Sequence, residues 1–197
     1  MQADPALDKS ALRREMLRRR DALDPGRSIE AAFTIAETAI EAIPAEAGIV
    51  AAYLPIRSEV DPRPLMMAVK DRRQRLCVPA ILPGGHLEFR ELLADTELEP
   101  QGLGTVAPKA GTPVLRPEVV LVPLAAFDAA GNRLGYGRGF YDRALESLRG
   151  DGGACLAIGL AYAAQEVPRV PVEDFDRPLD LIVTEAATIR PSARSTS

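Results

Sequence analysis

Along the chain, segments with apolar residues at helical spacing alternate with short, unbroken apolar runs. The first periodic stretch predicts a helix over residues 6–23, with Leu12, Met16 and Leu23 on one face. Asp24-Pro25-Gly26 reads as its stop and turn. Ser28 can cap a second helix in which Ile29, Ala32, Phe33, Ala36, Ile40 and Ile43 recur on one side, closed by Pro44. Residues 48–53 are continuously apolar, the pattern of a strand covered on both faces. The polar segment 55–64 is then a loop at the carboxyl end of that strand, and Leu65, Met66 and Val69 predict a short helix. Short strands are expected at 75–78 and 87–89, a long loop over 95–117, and a buried strand at 119–122 ended by Pro123. After a glycine-rich loop come a helix over 140–148 and strands at 154–160 and 179–183.

Strands alternating with helices predict an α/β fold, a mostly parallel central sheet flanked by helices on both faces. In such sheets ligands bind beyond the carboxyl ends of the strands, where the loops after Tyr53, Val122 and Leu160 emerge. The length of 197 residues suits a single domain, placed at 1–190, with a tail over 191–197 expected to be disordered. A 47% apolar and 26% charged composition excludes wholesale disorder, and no apolar run is long enough for a membrane span. Arginines near the start lack the apolar stretch of a secretory signal, so a cytoplasmic location is expected. The net charge of −4 argues against a general nucleic-acid binder. It conceals an uneven distribution. Lys9, Arg13, Arg14 and residues 18–20 make the start basic, whereas Glu166, Glu173, Asp174, Asp176, Asp180 and Glu185 make the end acidic. Cys77 and Cys155 sit in apolar runs and read as small buried hydrophobes. The single histidine, His86, follows two glycines and reads as an exposed turn residue, so the chemistry must work without histidine.

The strongest chemical signal is residues 133–142, Arg-Leu-Gly-Tyr-Gly-Arg-Gly-Phe-Tyr-Asp, at the start of a predicted helix. Glycines at 135, 137 and 139 let the backbone take positive φ angles and come close to a ligand. Successive amide N–H groups and the positive end of the helix together make an anion site. Arg133 and Arg138 suit phosphate oxygens. Asp142 in the first helical turn can hold Mg²⁺ whose other positions are filled by phosphates. The run matches neither a P-loop nor the dinucleotide pattern G-x-G-x-x-G.

This ten-residue run resembles the signature of the 5-formyltetrahydrofolate cyclo-ligase (5,10-methenyltetrahydrofolate synthetase) family. Lys9-Ser-Ala-Leu-Arg13 is similar to that family's amino-terminal K-x-x-L-R, and residues 53–61 to its substrate loop. Residues 158–165 and 170–176 are similar to its carboxyl-terminal strand and acidic loop. The resemblance implies a fold of the NagB/RpiA/CoA-transferase kind and an ATP- and Mg²⁺-dependent cyclisation of 5-formyltetrahydrofolate to 5,10-methenyltetrahydrofolate. Carried onto this chain, it implies nucleotide contacts from Lys9, Arg13, Arg133, Leu134, Gly135, Tyr136, Gly137, Arg138, Gly139, Phe140 and Tyr141. It also implies substrate contacts from Leu54 and Glu59, a magnesium held by Asp142 and Asp176, and Arg138 and Glu59 acting on the reacting groups. The partners expected are ATP and a reduced folate, with no nucleic acid and no membrane, and the default assembly is a monomer.

The sequence departs from the family pattern at Pro62, Leu87, Ala107, Arg138 and Phe175, where Thr, Met, Glu, Lys and His are frequent. These departures fall more heavily on the folate half than on the nucleotide half. They leave open a nucleotide-binding paralogue acting on another substrate, and a non-catalytic nucleotide- or folate-binding regulator.

Overall fold

The protein is described from a computed structural model, over residues 9–102, 104–150 and 153–191. The start of the expected first helix at residues 6–8, and residues 192–197 of the expected tail, lie outside the described residues. The chain builds α1 (Lys9–Asp21), α2 (Pro25–Ala42), β1 (Ile49–Ala51), α3 (Arg63–Asp71), β2 (Arg75–Ile81) and β3 (Leu87–Glu91). A hairpin of β4 (Leu98–Gly102) and β5 (Thr105–Pro108) follows, then β6 (Val119–Pro123), β7 (Ala126–Phe127) and β8 (Arg133–Leu134). The last elements are α4 (Phe140–Arg149), β9 (Leu156–Leu160), β10 (Leu181–Val183) and β11 (Thr188–Ile189).

The central sheet has seven strands in the order β11-β10-β9-β6-β1-β2-β3. The five inner strands are parallel, and antiparallel β3 and β11 close the edges. The unbroken apolar runs are accounted for by burial on both faces. Val119 and Leu121 of β6 pack with α2 and α3, while Val120 and Val122 point to the other layer against Ala144, Leu145 and Leu148 of α4. α1 lies apart from both layers, with Met16 and Leu12 packed on Ala126, Leu134, Val167 and Val170.

Several expectations are corrected. Asp24-Pro25-Gly26 does not separate the first two helices by a free turn. Asp24 itself caps α2, its Oδ1 accepting from Arg27 N at 2.9 Å, and Pro25 occupies the first turn, where its missing N–H costs nothing. Ser28, expected as the cap, lies inside α2. The buried stripe of that helix is also rotated: Ala31, Ala32, Ile35, Ala36 and Ala39 face inward, leaving Ile29 and Phe33 exposed. Small alanines allow the helix to approach the sheet and α3 closely, and that side wins over the bulkier one. The stretch 95–117 is not wholly loop, since it contains the β4–β5 hairpin. Cys77 and Cys155 are buried and His86 is exposed, as expected. No helix among the described residues is long and apolar enough to cross a membrane.

Candidate functional site

A cavity of about 630 Å³ opens at the carboxyl ends of β1, β2 and β6. Its floor is the segment following β1. There the Tyr53 hydroxyl donates to Val60 O at 2.8 Å, closing the loop that carries Leu54 and Glu59. One wall is the segment leading from β8 into α4. Asp128, buried at the turn before it, accepts from Ala130 N and Asn132 N on Oδ1 and from Asn132 Nδ2 and Val170 N on Oδ2. One carboxylate thus shapes the entry to the glycine loop and ties it to the chain arriving from β9. Gly137 and Gly139 take φ angles of 85° and 63°, and Gly139 is the N-cap of α4. Gly135 does not take a positive φ, so only two of the three glycines are required for backbone reasons. The N-terminal turn of α4 lines the cavity, as an anion site requires.

The opposite wall comes from α1 and from the acidic segment after β9. Lys9 Nζ donates to Glu173 Oε2 at 2.5 Å and to Asp176 Oδ2 at 2.7 Å, and it stands 5.8 Å from the centre of the Phe175 ring. Burial opposes the Lys9 charge, but the two carboxylates outweigh it and raise its pKa above the usual value. Arg13 Nε donates to Gly135 O at 2.6 Å and so clamps the glycine loop to α1. Arg133 is buried, with Nη2 on Asp142 Oδ1 at 2.6 Å and Nη1 on Arg177 O. Burial lowers its pKa against the pull of Asp142.

Glu59 is 8% exposed, far from the exposed loop carboxylate that its surroundings in sequence allow. Burial raises its pKa, opposed by hydrogen bonds from the Tyr136 hydroxyl to Oε1 at 2.5 Å and from Ile56 N to Oε2 at 2.9 Å. Tyr53 is buried and Tyr141 partly buried next to it, and desolvation pushes both phenols upward, so they stay neutral. The cavity therefore has two chemical ends. Lys9, Arg13 and Arg138 offer positive charge around the loop amides, while Tyr53, Leu54, Ile56, Pro79, Ile81 and Leu87 make an apolar slot that ends at Glu59.

All the residues anticipated from the sequence line this one cavity, from Lys9 and Arg13 through Leu54 and Glu59 to 133–142 and Asp176. A family model described as the 5-formyltetrahydrofolate cyclo-ligase family matches residues 6–185. The chain belongs to the 5-formyltetrahydrofolate cyclo-ligase family. It is 35% identical over 141 residues to the 5-formyltetrahydrofolate cyclo-ligase of Escherichia coli strain K12, covering 68% of this chain and 76% of that one. The cyclo-ligase of Haemophilus influenzae is 32% identical over 141 residues, with 68% and 74% covered. The solved structure of 5,10-methenyltetrahydrofolate synthetase from Aquifex aeolicus matches at a TM-score of 0.78 with 29% identity, over 96% of each chain. That of Mycoplasma pneumoniae matches at a TM-score of 0.74 over 91% of this chain and 99% of the other, and at 24% identity it speaks for the fold.

As a cyclo-ligase family member the chain also shows cavity residues that sequence reasoning missed. Thr105 and Val106 enter from the β4–β5 hairpin, and Arg57 stands on the floor loop with φ 53°. Neither had a signal in the pattern: the hairpin lacks alternation, and a positive φ on arginine has no sequence mark. Of the departures, Phe175 and Leu87 line the cavity, whereas Ala107 is fully buried in β5 and Pro62 sits at the N-cap of α3.

Proposed function

We propose that this protein converts 5-formyltetrahydrofolate to 5,10-methenyltetrahydrofolate, coupled to cleavage of ATP to ADP and phosphate. The observation that carries this reading is the single two-ended cavity, with cations and loop amides at one end and an apolar slot closed by a buried carboxylate at the other.

A formamide oxygen is a poor leaving group. Transfer of the γ-phosphoryl group to it makes the formyl carbon electrophilic, and N10 then attacks that carbon and gives up its proton. Phosphate departs with the former formyl oxygen as the five-membered ring closes. Phosphoryl transfer asks the protein mainly for alignment and charge neutralisation. Lys9, Arg13 and the amides after Gly135 hold the triphosphate, and Arg138, exposed at the cavity, meets the transferring group. Leu54 packs on the pterin, and Glu59 offers its carboxylate to the N–H groups of the reduced ring. No histidine enters.

The donor set also fits a magnesium ion. Hydrogen bonds among the described residues fall on Oδ1 of Asp142 and Oδ2 of Asp176, so each carboxylate keeps a second oxygen. No cluster of three or more His, Cys, Asp or Glu stands ready as a cage among the described residues. Two carboxylates completed by substrate phosphates are what Mg²⁺ commonly takes. Asp142 and Asp176 would hold it, and it would neutralise phosphate charge. The test is spectroscopic. Purified protein with 5-formyltetrahydrofolate, ATP and Mg²⁺ is expected to generate the near-ultraviolet absorbance of the methenyl product, and omission of ATP abolishes it. ATP binding without product would overturn the reading in favour of a paralogue or regulator.

A further inference from the structure

Beneath Glu59 lies a guanidinium that the proposed chemistry does not use. Arg20, on the inner side of α1, is 1% exposed, a burial that charged side chains reach only when held by partners. Its Nε donates to Ser58 Oγ at 3.0 Å, and its Nη1 to Leu124 O at 3.3 Å and to the Tyr136 hydroxyl at 2.9 Å. Nη2 is buried with no partner among the described residues. Ser58 in turn donates to Asp21, the neighbour of Arg20 on α1.

The direction of this relay is fixed by donor arithmetic. A guanidinium has no acceptor, so the Tyr136 oxygen must accept from Arg20, and its one proton goes to Glu59 Oε1 at 2.5 Å. The same guanidinium holds Ser58, the residue before Glu59, so both the carboxylate and its backbone are pinned to α1.

We propose that Arg20 is a positioning residue for the folate end of the cavity, fixing the orientation and the charge of Glu59 through the Tyr136 hydroxyl. The inference rests on the reading of Glu59 as a folate contact given above. The groups facing Glu59 are Tyr136 from the glycine loop, Tyr141 from α4, Tyr53 at the end of β1 and Arg20 from α1. Three of these are neutral phenols, so Arg20 is the cation that favours the ionised carboxylate. Losing it raises the Glu59 pKa further, and the acid limb of activity moves to higher pH. Lysine does not replace it, because one ammonium cannot span Ser58, Leu124 and Tyr136 as a planar fork does.

The experiment uses Arg20→Gln, Arg20→Lys, Tyr136→Phe and the Arg20→Gln/Tyr136→Phe double variant. A hydrogen bond to a charged group is worth about 1.5–3 kcal/mol, so the KM for 5-formyltetrahydrofolate is expected to rise about tenfold or more in Arg20→Gln. The KM for ATP stays within about twofold, since Arg20 is not among the cavity lining. Arg20→Lys restores the acid limb but not the KM. The double variant falls short of the sum of the two single effects, because part of the Arg20 effect runs through that hydroxyl while the hold on Ser58 does not. The carboxyl-carbon NMR signal of Glu59, titrated without substrate, moves to a higher midpoint in Arg20→Gln. A wild-type protein without turnover would sink the proposed function, and this titration would still decide the relay. A folded Arg20→Gln with unchanged folate KM, or with an unchanged Glu59 midpoint, overturns the proposal. Should that variant not fold, Arg20→Lys takes its place: a raised folate KM supports the relay, and an unchanged folate KM overturns it.

Discussion

The two positive-φ glycines of the glycine loop make a demanding test of whether its backbone shape matters. A Cβ added at Gly137 would stand 3.3 Å from both Cζ and Nη2 of Arg13, in a backbone conformation of φ 85°. An L-residue in the left-handed region costs about 1–2 kcal/mol. Pushing the Arg13 guanidinium aside strains its hydrogen bond to Gly135 O, a charge-assisted contact worth about 1.5–3 kcal/mol if lost outright. Together these disfavour the observed loop by about 2–4 kcal/mol. At about 1.4 kcal/mol per decade, Gly137→Ala should weaken ATP binding by about thirtyfold or more, provided the loop must hold this shape to bind.

Gly135→Ala is the matched control. It has no positive φ, and a Cβ there meets nothing within 4 Å. Its effect on ATP affinity should therefore be at least several-fold smaller. Isothermal titration of ATP into both variants, with thermal unfolding to establish that each is folded, measures the difference. Equal affinities for the two variants would refute the idea that the conformation of the loop, rather than its composition, makes the site.

Two further outcomes are open to simple measurement. Asp142→Asn should raise the Mg²⁺ concentration needed for half-maximal turnover by about tenfold or more, and it should also lower stability. The reason for the second effect is that Arg133, with a side chain 5% exposed, loses its charged partner, and a hydrogen bond to a charged group is worth about 1.5–3 kcal/mol. Unchanged Mg²⁺ dependence in a folded variant would remove Asp142 from the metal site. Cys77 and Cys155 should resist thiol reagents in the native state at neutral pH, because burial pushes their thiols up to about 12 and about 11 and the thiolate is the reactive form. Fast labelling without unfolding, followed by mass spectrometry, would contradict that.

What the sequence disclosed, and what it hid, follows from how far apart the interacting residues are. The glycine loop was legible because its parts are contiguous. Gly137, Gly139, Arg138 and Asp142 lie within six positions, and the chemistry of a turn entering a helix is written locally. The parallel sheet was legible because burial on two faces leaves unbroken apolar runs. By contrast, Lys9 and Arg13 look like any basic helix face, and only the family resemblance pointed to them. The β4–β5 hairpin stayed hidden because Leu98-Glu-Pro-Gln-Gly is mostly exposed and carries no alternation. Asp24-Pro25-Gly26 misled because the residues that stop one helix also cap the next. Arg20 is the hardest case. In a run of three arginines nothing marks the one that is buried, and the residue that makes its burial tolerable, Tyr136, lies 116 positions away. A charge becomes interpretable only when its partners arrive, so the Glu59 end of this cavity, built from long-range polar pairs, could be read only after the chain was folded.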